Sequence, residues 1–222
     1  MSELFIELFS EEVPAKLQIK AREQLKEILS NFFEQHSVKY KGEIRIFSTP
    51  NRIAINAKGL PKEVLFKSKE VKGPSINAPD KALDGFLNSN QINKNKIYKK
   101  KTEKGEFYFY KKPQKKISLY NMLRENLPHI LFKITWEKSM KWGEHTLLWG
   151  RPLKSILSIF DGKKLEFDFK HLKSSNLTFI EKDIEEKTKS FNNFDQYLKF
   201  FKTKGVILSL IHISEPTRLA SI

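Results

Sequence analysis

Cysteine is absent from all 222 residues, which excludes disulfides, thiolate nucleophiles and cysteine-ligated zinc or iron–sulfur centres. No apolar run is long enough to cross a bilayer. The opening MSELFIELFSEE is acidic where a secretory signal is basic, so no export signal is read and a cytoplasmic location is expected. Neither GxxxxGK(S/T) nor GxGxxG occurs, so phosphate-cradling loops of those kinds are missing. The histidines, His36, His129, His145, His171 and His212, include no pair at metal-ligand spacing and no HExxH. His171 also lacks the following aspartate that an HD-type metal site needs. No catalytic set and no metal site is expected. Arginine is scarce, 6 residues against 35 lysines.

What is present is positive charge. The formal net charge is +15 and the sequence pI about 9.7, a surplus that suits a polyanionic partner, nucleic acid first among them. Contacts of that kind are dominated by phosphates and weaken with salt. An AT-rich coding sequence enriches lysine, asparagine, isoleucine and phenylalanine as well, so charge alone leaves the partner open. The 39% hydrophobic and 30% charged residues fit a folded globular chain.

Periodicity sets out the elements. Leu4, Ile6 and Leu8 alternate on one face of a strand over Glu3 to Phe9. Ser10 to Pro14 then opens a helix, with Ser10 able to cap it and Glu11 and Glu12 suited to its positive end. That pair is also a conceivable acid/base couple or magnesium ligand. Leu17, Ala21, Leu25, Ile28, Leu29 and Phe32 recur at helical spacing and carry the helix to about Phe33. Ile44 to Phe47 and Ile53 to Ala57 read as strands joined by a turn at Ser48 to Asn51. Lys72 to Pro79 reads as a loop, and Asp80 as the cap of a short helix. Ile97 to Lys101 and Phe107 to Lys112 read as a hairpin whose flanking lysines make a solvated edge. A second amphipathic helix spans about Ser118 to Ile134, with Pro128 placed to kink or split it. Pro152 to Phe160 and Leu165 to Phe169 read as a second hairpin around Asp161-Gly162. The class is α+β, with mainly antiparallel sheets and two subdomains or layers. A division into residues 1–75 and 76–207 is expected.

Four segments carry a family resemblance. Leu4 to Ala15 (LFIELFSEEVPA), Ser48 to Ala54 (STPNRIA), Val71 to Pro74 with Gly85-Phe86-Leu87, and Lys138 to Gly143 followed by Trp149 to Ile156 and Phe160-Asp161-Gly162 stand in order and spacing. Together they resemble the N-terminal part of the β subunit of bacterial two-subunit glycyl-tRNA synthetases. Asn51 replaces the first arginine of that pattern, Lys141 an arginine and Lys154 a histidine. A Thr-x-Gly-His-Arg-Phe step is not recognisable in Lys170 to Ile180. The resemblance implies an α2β2 enzyme that activates glycine with ATP and magnesium and transfers it to tRNA. The class II catalytic core would lie on the α subunit, and the β subunit would supply tRNA binding, with its anticodon-binding region toward the C-terminus. This chain would then hold no cofactor and be inert alone.

Residues expected to contact tRNA are Arg52, Lys72, Lys138, Lys141 and Arg151, with Trp142 and Trp149 as stacking surfaces. Lys138, Lys141 and Arg151 interleave with Trp136, Trp142 and Trp149, and cations mixed with aromatics can hold phosphates and stack unpaired bases. The other reading of this block is a tryptophan core covered by lysine stems. For Arg52 the alternative is a structural ion pair, and for Lys72 a plain turn. Two further readings of the chain stand beside the synthetase: a stand-alone basic RNA-binding module and a pure subunit-docking domain. Finally, Leu208 to Arg218 (LSLIHISEPTR) resembles one reading frame of a transposon-type sequencing adapter. On that basis the native frame is expected to be cut near Ile207, with residues 208–222 foreign to the fold.

Overall fold

The structure, a computed structural model, describes residues 1–66, 68, 70–102, 105–144, 146–181 and 187–205. The adapter-like segment 208–222 lies outside the described residues. The chain forms two units, one of residues Leu65–Ile117 and the other of Met1–Val64 together with everything from Ser118 onward. The division therefore falls at two points, 64/65 and 117/118, where the sequence reading placed a single cut at 75/76.

In the larger unit, strand β1 (Ser2–Ser10) leads into helix α1 (Ala15–Gln35), and β2 (Ile44–Thr49) and β3 (Arg52–Leu60) form a hairpin. The chain leaves through β4 (Glu63–Phe66) and returns through β8 (Lys115–Ser118), with which β4 pairs. Between them lie β5 (Glu70–Ser75), α2 (Asp80–Asn90), β6 (Ile97–Thr102) and β7 (Gly105–Lys111) of the smaller unit. Beyond β8 come α3 (Leu119–Phe132), the short strands β9 (Met140–Lys141) and β10 (Leu148–Trp149), and β11 (Leu153–Phe160). The chain continues with β12 (Lys163–Lys164), β13 (Asp168–Phe169), β14 (Leu172–Lys173), β15 (Leu177–Glu181), β16 (Lys187–Ser190) and α4 (Phe194–Thr203).

The larger unit is built on a five-stranded antiparallel sheet, ordered β12-β11-β1-β3-β2. A central strand covered on both faces is apolar along its whole length, and β1 is buried at nearly every residue rather than on one face alone. Leu4, Ile6 and Leu8 are buried on one face by alternation, and α1 packs on the neighbouring strand β2. Phe5, with Ala54 and Leu157, takes the other side, under an aromatic cluster from α4 and the segment leading into it, Phe191, Phe194, Tyr197 and Phe201. Ring centroids of Phe5–Tyr197 and Phe47–Phe194 are 4.9 and 5.0 Å apart, a spacing at which aromatic pairs add about 0.5–1.5 kcal/mol each beyond area burial.

Helix α4 was not anticipated from the sequence. Ser10 and Asp80 do not cap as expected: Ser10 ends β1, the caps of α1 and α2 are Pro14 and Pro79, and neither makes a side-chain capping bond. Glu11 and Glu12 precede α1 and are not in its first turn. Lys72 to Ser75, expected in a loop, is strand: β5 continues through Gly73-Pro74 by way of a register shift between Lys72 and Ser75. A bulge absorbs the proline that a regular ladder would reject. Helix α3 runs unbroken through Pro128. The Asp161-Gly162 turn is as expected, with φ of 52° and 74° and Phe160 facing Lys163, the two-residue hairpin that requires positive φ at both positions. The strand after it is Lys163–Lys164 and not Leu165 to Phe169, of which only Asp168–Phe169 is strand and pairs with β14.

Candidate nucleic-acid interface

The tryptophan block forms around the β9–β10 hairpin. Lys141 faces Leu148 and Met140 faces Trp149 across the ladder. Trp149 turns inward and is 3% exposed. Its ring lies 5.3 Å from that of Trp136 and meets Phe169 edge-on at 5.8 Å. Trp142 is half-buried, its indole N–H donating to the Trp149 carbonyl at 3.1 Å. Gly150 is where Trp136 closes over the backbone, since a Cβ there would stand 2.5 Å from the indole ring. Trp149 is thus part of the interior and presents no face to a base. Trp142 borders a cavity of about 590 Å³ shared with Leu147, Leu153, Lys154 and His171.

The cations around this block divide. Lys138 and Lys141 are exposed, and beside them are two large exposed apolar side chains, Met140 at 60%, which precedes Lys141, and Leu148 at 56%, which faces Lys141 across the ladder. Arg151 is half-buried and its Nε donates to the Glu12 carbonyl at 3.1 Å. Its surroundings are acidic as well as basic: Glu11 and Glu12 line the same 660 Å³ cleft, and Glu11 pairs with Lys154 at 3.2 Å. Arg151 ties the start of β11 to the segment entering α1. The structure gives Glu11 a lysine partner, and no group of three metal-ligating side chains occurs among the described residues.

Arg52 sits at the entrance of β3, and there the structure gives the ion pair. Its guanidinium is buried, Nη1 donating to Glu7 Oε1 at 2.9 Å and to Thr178 Oγ1 at 2.8 Å, and Nη2 to the Phe179 carbonyl. Thr178 donates its hydroxyl to Glu7 in turn. The guanidinium also lies 4.5 Å from the ring centres of Phe9 and Phe201. Arg52 joins β1, β3, β15 and α4, and a phosphate has no access to it. Tyr197 borders the same site: burial first, then the nearby Glu7 carboxylate, raises its pKa well above the ordinary tyrosine value.

In the other unit, Lys72 is exposed on β5 with Nζ 3.5 Å from the centre of the Phe107 ring. Of the seven residues named from the sequence, Lys138, Lys141 and Lys72 are exposed, Trp142 and Arg151 half-buried, and Arg52 and Trp149 buried.

Comparison with known proteins places the chain. Residues 4–213 match the family model described as glycyl-tRNA synthetase beta subunit, and the chain belongs to that family. The match reaches six residues into the adapter-like segment. Among curated relatives, the glycine–tRNA ligase beta subunit of Rickettsia conorii is 36% identical over 208 residues, 94% of this chain and 31% of the relative. That of Rickettsia bellii is 37% identical over 215 residues, 97% of this chain and 32% of the relative. The chain spans about a third of the length of the curated relatives it matches.

Proposed function

We propose that this chain is the N-terminal part of a glycine–tRNA ligase β subunit. It works with an α subunit that carries the class II core, as an α2β2 enzyme in the cytoplasm, joining glycine to its tRNA at the expense of ATP with magnesium. The observation that carries this reading is the family match over residues 4–213. The part played by these residues is assembly and support of tRNA binding, not bond making. A mixture of purified α subunit and full-length β is expected to charge tRNA with labelled glycine, whereas α with the 222-residue chain is expected to give no charging above α alone. Glycylation by the 222-residue chain without α would overturn the assignment of the catalytic core.

A docking role for the β9–β10 hairpin is favoured by the exposed Met140 and Leu148. The two lie on opposite faces of the hairpin, since Met140 pairs with Trp149 and Leu148 with Lys141, and large apolar side chains left exposed on both faces of a short hairpin suit insertion against a protein partner. Lys138 and Lys141 flank it and keep a phosphate contact within reach. Co-purification of α with β carrying Met140→Ser and Leu148→Ser separates the two: a lost complex supports docking, and an intact complex with weaker tRNA binding supports the phosphate contact.

A further inference from the structure

The smaller unit, Leu65–Ile117, contains fourteen lysines, no arginine and five acidic residues, a net +9 of the chain's +15 in 53 residues. Its sheet, ordered β5-β7-β6, is two-faced. The core of the unit lies on one face, where Tyr110 packs with Leu87 and Ile92, and Leu83, Phe86 and Ile97 close around them. The Phe86 ring lies against the Cα of Gly73 on the same side. Strand alternation then turns Lys72 to the other face.

The ladder completes that second face. Phe109 stands between Lys72 on β5 and Tyr98 on β6, Phe107 stands beside Lys100, and Glu70 stands beside Lys111. The rings of Tyr98 and Phe109 stack at 6.2 Å with 26° between planes. Lysine ammoniums cover the remaining aromatic surface, Lys72 at 3.5 Å from Phe107 and Lys100 at 5.4 Å from Phe109. Glu70 holds the edge in place, accepting from the Tyr98 hydroxyl at 2.7 Å and from Lys100 at 2.8 Å.

We propose that this second face, with the exposed Tyr98 and the half-buried Phe107 as stacking surfaces beside the buried Phe109, and Lys72, Lys100 and Lys111 around them, binds unpaired nucleotides of an RNA. These rings are not needed to hold α2, whose core is on the opposite face. Aromatic rings in a ring of cations are what a stretched strand needs, bases stacking on the rings and phosphates meeting the ammoniums. Each ammonium now over a ring can move to a phosphate as a base takes its place. Lysine without arginine supplies point charges in place of bidentate forks, so the binding is tolerant of sequence. The surface is distinct from the β9–β10 hairpin, and the proposal holds whether or not the chain serves a tRNA ligase.

The test uses the full 222-residue chain and fluorescence anisotropy with a labelled single-stranded RNA of about 12 nucleotides and a duplex of the same length, across a range of potassium chloride. The single strand is expected to bind roughly tenfold more tightly than the duplex. Lys72→Gln with Lys100→Gln should weaken it about tenfold and reduce the salt slope by about two. Phe107→Leu should weaken it by about five- to tenfold with the slope unchanged. Glu70→Gln releases Lys100 and should tighten binding about twofold. Lys26→Gln with Lys39→Gln, an equal charge loss on exposed positions of the other unit, should change affinity less than twofold. Equal affinity for duplex and single strand overturns the proposal, as does an equal loss in the Lys26/Lys39 control. If Phe107→Leu lowers the melting temperature, Glu70→Gln decides, and binding that fails to tighten there overturns it.

Discussion

Removing one partner of the Glu7–Arg52 pair leaves the other charge buried in an aromatic shell. The pair is 0% and 8% exposed, with Thr178 and the Phe179 carbonyl as further partners of the guanidinium, while Glu7 Oε2 is buried without a hydrogen-bond partner among the described residues. Breaking such a pair typically costs about 3–5 kcal/mol, whereas replacing both members by apolar residues of similar size is often close to neutral. Glu7→Gln or Arg52→Met is expected to lose about that much in urea denaturation, and Glu7→Leu with Arg52→Met clearly less than the sum of the singles. A loss below about 1 kcal/mol for Arg52→Met would show that the network contributes little. The sequence made Arg52 visible as a residue at a strand entrance but not its partner, which lies 45 positions earlier on a neighbouring strand. A second residue-scale effect belongs to Gly150. Alanine there meets the Trp136 ring at 2.5 Å, and relief of that overlap is expected to cost about 1–3 kcal/mol and alter tryptophan fluorescence.

Elements were legible where their signal is local. The Asp161-Gly162 turn, the helical spacing in α1 and the lysine-flanked hairpin of β6 and β7 each have a local signal, and each is found. What failed involved competition between a local rule and a tertiary one. Gly73-Pro74 reads as a turn, yet pairing with β7 keeps it in a bulged strand. Pro128 reads as a break, yet burial of Leu123, Leu127, Ile130 and Leu131 holds α3 in one piece. Trp149 reads as a stacking surface because nothing local says which tryptophan faces inward. Helix α4 did have a local signal, since Phe194, Tyr197 and Phe201 recur at helical spacing behind Asn193. That cap accepts from the Gln196 amide at 2.8 Å. Its loss in Asn193→Ala is expected to cost about 1 kcal/mol, read as a lower urea midpoint. Because α4 covers Phe5, the whole transition should shift with it; a separate early phase would show instead that α4 unfolds alone.

At the scale of the whole molecule, charge decides. Formal charges are 41 positive against 26 negative at neutral pH, so the folded chain works against its own repulsion. The ionic contacts that offset this are mostly exposed and individually small. Hydrogen bonds from lysines, Lys100 to Glu70, Lys20 to Glu137, Lys62 to Asp161 and Lys164 to Glu166, hold those four carboxyls below their ordinary pKa values. A carboxyl whose folded pKa is lowered contributes stability above its unfolded pKa, and that contribution disappears as pH falls through the folded value. Stability should therefore decline below the ordinary carboxylate values of 4.5 for glutamate and 3.8 for aspartate, gradually, because no single pair is large. Protonation also removes the negative charges that balance the lysines, so repulsion grows in the same pH range. Salt opposes that repulsion and screens the pairs too. With a surplus of +15 the screening of repulsion should win, so that added potassium chloride raises the melting temperature at pH 7 and raises it more at pH 3.5. Thermal melts followed by circular dichroism at low and high salt would check both signs. A melting temperature that falls with salt at pH 7 would mean that the lysine–carboxylate pairs outweigh the surplus. In that case the positive charge concentrated in Leu65–Ile117 would cost the fold little even without a polyanion to neutralise it.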